Sequence, residues 1–129
     1  MRACDFQSTF LRLRPDASIE KLPAEGFWPR LMAGELGDFH NEYLVTTAEY
    51  STDWPSWEIH PNGDEIVCLL SGAVTMTLEA ADGSHSQIEM TRSGSFAFIP
   101  RATGHTAKVA RHSKMLFITA GEGTHTRPA

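Results

Sequence analysis

From Phe39 onward the sequence is a succession of short apolar segments separated by turn residues, and no other feature limits the possible folds so strongly. The segments are FHNEYLVTTAEY, WPSWEIH, DEIVCLL, AVTMTLEA, HSQIEMT, SFAFIP, GHTAKVA and KMLFITA. Between them stand PNGD, SG, ADGS, RSG, PRATG and RHS. Gly, Asn and Asp tolerate left-handed backbone and Pro fixes its own φ, so these groups favour chain reversal. Strands recurring every ~8 to 12 residues with turns between them predict an antiparallel sandwich or barrel. The alternation is clearest where Val74, Met76 and Leu78 fall on one face and Thr75, Thr77 and Glu79 on the other. Asp82-Gly83 predicts a tight hairpin. No apolar pattern of helical period runs beyond a few residues, so the expectation is an all-β domain.

A chain of 129 residues has material for one domain with one core. Residues 1–38 read differently from the rest, mixing Pro, Gly and short apolar pieces in DASIEKLPAEGFWPRLMAGELGD. They are expected to form an N-terminal extension, with one or two short strands and a helical turn near Trp28 to Ala33, packed on a barrel of residues 39–121. A polar, irregular C-terminal tail is expected over 122–129.

Charge excludes some partners. The net charge is −5 with no block of like sign, so the clustered basic footprint that nucleic acid or an anionic membrane surface demands is missing. No stretch approaches the roughly 20 apolar residues that span a bilayer. The opening MRACDFQSTFLRLRP has no apolar core of a signal peptide, and Cys4 and Cys68 are the only two cysteines. A cytoplasmic protein with two reduced thiols is expected, Cys68 being an inert thiol within an apolar run.

Chemistry concentrates in EIHPNGDEIVCLLSG, residues 58–72. Residues i and i+2 of a strand share a face, which points Glu58 and His60 the same way. Reversal at PNGD, read as a hairpin, brings Glu65 back beside His60. Val67 and Leu69 continue that inward set as an apolar wall. Imidazole nitrogen with charge-neutralising carboxylate suits a divalent first-row metal.

This stretch resembles the first motif of the cupin superfamily, G-x5-H-x-H-x3–4-E-x6-G, through His60, Glu65 and Gly72. The second motif, G-x5-P-x-G-x2-H-x3-N, resembles GSFAFIPRATGHTAKV through Gly94, Pro100 and His105. The short gap between the motifs is that of small single-domain bacterial cupins. Thr52, Ala102 and Val109 replace the opening Gly, the second Gly and the closing Asn, with Gly104 positioned to take over the tight turn. Glu58 stands in the first His slot.

The resemblance implies a double-stranded β-helix, or jelly-roll cupin barrel, of two antiparallel sheets. It implies metal ligation by His60, Glu65 and His105, with Glu58 either a fourth ligand or a catalytic acid/base. Four ligands make a two-His, two-Glu site for Mn, Fe, Zn, Ni or Co. Without Glu58, a two-His, one-carboxylate face remains, the pattern of non-haem iron oxygenases. The expected function is that of a metal-dependent enzyme on a small polar organic substrate, of dioxygenase, isomerase or lyase type. The alternative is a non-catalytic cupin that binds or senses a metal or metabolite. A homodimer is implied, using apolar strand material from residues 1 to 50. His40, His85, His112 and His125 are expected on the surface, Trp54 and Trp57 as core, interface or barrel-mouth aromatics, and Phe96, Phe98 and Met76 as core.

Overall fold

The computed structural model describes residues 2–129. Its elements run β1 (Thr9–Leu13), β2 (Ile19–Pro23), α1 (Phe27–Met32), β3 (Tyr43–Tyr50), β4 (Ser56–Ile59), β5 (Glu65–Glu79), β6 (His85–Met90), β7 (Phe96–Ile99), β8 (Gly104–Thr119) and β9 (His125–Pro128). Every strand pairing is antiparallel. Among the described residues, no helix is long and apolar enough to cross a membrane.

Two strands organise the rest. β5 and β8 pair from Ile66↔Ile118 to Glu79↔Gly104, with the register slipping between Leu69 and Val74. At that slip the ribbon leaves one layer and enters the other. On one side the order is β2-β1-β3-β8-β5-β7, and on the other β9-β4-β8-β5-β6. The inner faces of the two layers share a core that includes Trp54, Val67, Leu69, Met76, Ile99 and Met115.

The sequence divides this ribbon into four strands, with turns at SG and RHS; the structure keeps it as two. Gly72 and Ser113 show why. Gly72 has φ +102°, and a Cβ there would lie 2.2 Å from Ser113 Oγ and 2.6 Å from the His112 carbonyl. The buried Ser113 hydroxyl accepts the Ala73 N–H at 3.0 Å and donates to Arg111 O at 2.8 Å. Backbone groups orphaned by the slip are thus satisfied inside the bend, and the chain need not reverse.

Three further expectations are corrected. The tail is not irregular: β9 pairs with β4 from Ser56↔Pro128 to Ile59↔His125. PNGD is not a hairpin turn, because β4 pairs with β8 and β9 while β5 pairs with β6, β7 and β8. The turn carries the chain between layers, and Gly63 allows it to seat against Ala120 and Tyr43. Phe96 and Phe98 are 59% and 51% exposed. Their neighbours Ala97 and Ile99 take the inward positions of β7, so the period-2 alternation turns both rings outward.

The N-terminal region comprises β1, β2 and α1. β1 pairs with β3, extending the first layer. Beneath α1 lies a second apolar cluster of Phe10, Leu22, Phe27, Leu36, Phe39 and Leu44. Arg12 ties this region together: its guanidinium donates to Leu36 O, faces Glu42 at 3.2 Å and Glu20 at 3.6 Å, and lies 4.0 Å over the Phe39 ring. These contacts hold the loop between α1 and β3 against the barrel.

Candidate metal centre

Glu58 and His105 are Cα partners between β4 and β8. His60 follows two residues after Glu58, just beyond β4, and Glu65 opens β5. Glu58, His60 and His105 each offer one ligand atom, and these atoms all lie within 4.8 Å of one another. Glu65 closes on both imidazoles: its carboxylate oxygens are 2.9 Å from His105 Nε2 and 3.4 Å from His60 Nε2. Glu58 stands farther off, 3.6 Å from His60 Nε2 and 3.9 Å from His105 Nε2, and its side chain is 35% exposed. His60, Glu65 and His105 are buried.

The surrounding hydrogen bonds fix which nitrogen faces inward. His105 Nδ1 lies 3.1 Å from the Thr103 carbonyl, which can only accept. His60 Nδ1 lies 2.8 Å from Thr124 Oγ1, and that hydroxyl donates its proton to Gly121 O at 2.8 Å. Both rings therefore carry a proton on Nδ1 and direct Nε2 to the centre. Thr119 Oγ1 donates to Glu65 at 2.7 Å and orients the carboxylate. Such outer partners fix tautomer and orientation at metal sites.

Three atoms at the centre, His60 Nε2, His105 Nε2 and Glu65 Oε1, are buried with no hydrogen bond of acceptable geometry despite their close approach. Imidazole lone pairs facing carboxylate oxygens need a cation between them. In the metal-free protein a proton takes that place. Burial opposes charge on His60, yet the close Glu58 and Glu65 carboxylates outweigh it and raise its pKa to about 9. Burial likewise opposes charge on Glu65, and the two imidazoles reverse that and hold it at about 2. Two neutral imidazoles and two carboxylates fit a divalent first-row ion by donor type and by charge.

The centre opens on a cavity of about 660 Å³. Its walls are not Val67 and Leu69, which lie wholly inside the core. They come from β3 (Leu44, Thr46, Ala48, Tyr50), from Trp54 and Phe117, and from Trp28, Met32 and Phe39 of the N-terminal region. Tyr50 and Thr124 carried no signal of their own in the sequence. Each becomes part of the site only through register or through the closure of the tail over His60.

The surface histidines pair outside the centre: His40 with Glu122, His85 with Glu79 and His112 with Glu49. Trp54 is core and cavity wall, whereas Trp57 packs on His85 and Arg127. At the second motif, Ala102 itself adopts the left-handed turn with φ +58°, and its N–H bonds to His60 O at 3.0 Å. Gly104 begins β8 and does not relieve it.

An antiparallel barrel of two layers is the fold that the cupin resemblance implies, and solved structures share that fold. A variant of Bacillus subtilis oxalate decarboxylase superposes with a TM-score of 0.53 at 22% identity, over 67% of this chain and 23% of that one. Another structure of that enzyme, concerned with its Mn(II) centres, gives the same figures. Peruvianin-I, a cysteine peptidase from Thevetia peruviana latex, superposes with a TM-score of 0.56 at 12% identity, over 67% of this chain and 56% of that one. The chain thus spans just over half of one neighbour and under a quarter of the other, and at these identities the likeness is one of fold. No protein-family model and no curated protein matches the sequence. Likeness to a peptidase does not extend to a thiol nucleophile at Cys68, because burial raises its pKa and its hydrogen bond goes to Leu69 O.

Proposed function

We propose that the chain is a metal-dependent enzyme acting on a small organic molecule, with His60, Glu65 and His105 as ligands and Glu58 at the cavity side of the centre. One observation carries this reading: unsatisfied ligand atoms of His60, Glu65 and His105 lie together beside a cavity that His60 and Glu65 line. A bound divalent ion supplies Lewis-acid or oxygen-activating chemistry. Manganese and iron suit the two carboxylates, and the oxalate decarboxylase neighbour is described with Mn(II) centres. Glu58 is half-exposed and faces the same cavity, so it can exchange a proton with a substrate held there.

Metal per chain, measured after expression without chelator or nickel affinity resin, tests the proposal. Near one equivalent of manganese or iron is expected, with none in His60→Ala or His105→Ala while the strand content persists. Glu58→Gln then divides its two roles. Loss of metal makes it a ligand, and retained metal with lost turnover makes it an acid/base. Retained metal with no turnover on any small molecule in the unaltered chain favours the second reading, a cupin that binds or senses without catalysis.

We also propose a homodimer. Strands β1 and β3, within residues 1 to 50, join β8 and β5 in the first layer, and their outward residues continue into a wider apolar surface. Cross-strand rows Leu11–Val45–Ile118–Ile66–Phe98 and Thr47–Leu116–Cys68–Phe96 run over the outer face of the first layer. Neither row bears a charge. In a chain of net charge −5, a second copy approaches with least repulsion there. Sedimentation should give a dimer for the unaltered chain and a monomer for Phe96→Ser with Phe98→Ser; a dimer in both overturns this face.

A further inference from the structure

The cavity's composition narrows the substrate. Among the described residues its lining holds no Lys or Arg, and four carboxylates, Asp38, Glu58, Glu65 and Glu122, border it. Arg12 and Arg127, beside the lining residues Phe39 and Thr126, are engaged elsewhere. Arg12 is engaged with Glu42, Glu20 and Leu36 O, and Arg127 with Glu79 and the Trp57 ring. A small dianion entering this site finds one cation at most, the metal, and carboxylates around it. A volume of about 660 Å³ is also far larger than such an ion fills, and lies within the range of about 300 to 1,000 Å³ typical of small-molecule pockets.

What the walls offer is aromatic surface and neutral donors. Five aromatic rings line the cavity, from Trp28, Phe39, Tyr50, Trp54 and Phe117. Tyr50, Trp54 and Phe117 pack against one another at centroid distances of 5.5 to 6.5 Å, forming one continuous wall. Trp54 is buried, and its indole N–H has no acceptor within the protein. Leaving such a donor unpaired costs about 1 to 3 kcal/mol, which an acceptor on a ligand recovers. The Tyr50 phenol is held in its neutral, donating form by burial and by the fields of Glu58 and Glu65, which raise its pKa to about 12.

We propose that the cavity takes an uncharged, ring-bearing substrate, its oxygen donor turned to the His60/His105 centre and its acceptor met by Tyr50 and Trp54, and that it rejects small dianions. The metal end of this assignment rests on the function proposed above. The aromatic wall and the missing cation stand apart from it. Specificity thus opposes that of the oxalate decarboxylase neighbour, whose name denotes a small dicarboxylate.

Isothermal titration of the full chain with phenylcatechol and with oxalate decides the matter, each run on manganese-loaded and chelator-treated protein. Phenylcatechol should bind at least tenfold tighter than oxalate to the loaded form, with a negative heat-capacity change from apolar burial. Tyr50→Phe should weaken phenylcatechol about fivefold without changing metal content, and Ala48→Met, which fills the cavity, should weaken it more. Equal or tighter binding of oxalate overturns the assignment, as does an affinity for phenylcatechol that neither substitution alters. Failure of the metal reading is separately visible: protein that takes up no manganese yet binds phenylcatechol through Tyr50 keeps the cavity assignment and loses only the metal.

Discussion

The two walls of the cavity are built by opposite means. The barrel wall presents ligands through short sequence spacings: Glu58 and His60 two residues apart, Glu65 across one turn, and His105 paired to Glu58. The N-terminal wall, formed by α1 and the loop to β3, has no comparable spacing. It is held by a buried arginine, an edge-on stack of Phe10, Phe27 and Trp28, and a small apolar cluster. The first arrangement can fix a metal, and the second, together with Tyr50, Trp54 and Phe117 of the barrel, shapes what reaches it. A chain of this kind can keep its centre while its selectivity changes, because the two walls draw on different residues.

The largest effect should come from the bend that both layers share. Gly72→Ala drives a Cβ into Ser113 and the His112 carbonyl at a φ that L-residues avoid. A loss of about 4 kcal/mol or more is expected, with both walls lost together in denaturant unfolding. Cooperative unfolding at unaltered midpoint would show that the bend is not shared.

Arg12→Ala should separate the walls. Glu42 keeps only Arg14, at 3.7 Å, and Leu36 O loses its donor. A loss of about 3 kcal/mol is expected from breaking a buried pair, with faster proteolysis near residues 33–42 and metal content unchanged. Metal lost in parallel would mean that the walls are one unit.

A titration of stability sharpens the comparison from the metal side. In chelated protein, His60 contributes fully below its ordinary pKa of 6.5, and the contribution fades as pH rises through about 9. Glu65 contributes fully above 4.5, and its share fades as pH falls through about 2. Melting temperature should therefore be highest between about pH 4.5 and 6.5 without metal, and move to higher pH with manganese, which displaces the His60 proton. An optimum that manganese leaves in place would count against ligation by His60.

The smallest effect is expected at the second motif. Ala102→Gly relieves a left-handed alanine, and a gain of about 0.5 to 1 kcal/mol in denaturant melts is expected, with metal binding intact.

The sequence by itself determined the all-β class, the strand regions of the barrel, and the residue types that meet at the centre. These rest on period-2 alternation and on spacings of a few residues, which strand geometry converts directly into shared faces. It did not determine that β5 and β8 run unbroken through their bends, since Ser113 and Gly72 meet only once the ribbon is paired. Nor did it determine that Phe96 faces solvent: an apolar alternation marks two faces and does not say which is inside. The tail read as irregular for the same reason, because HTRP becomes a strand only against β4 and places Thr124 on His60 only then. The cavity belongs wholly to tertiary structure. Its walls join residues from the helix near Trp28 to Thr126 in β9, and no local pattern records a volume that exists only between packed layers.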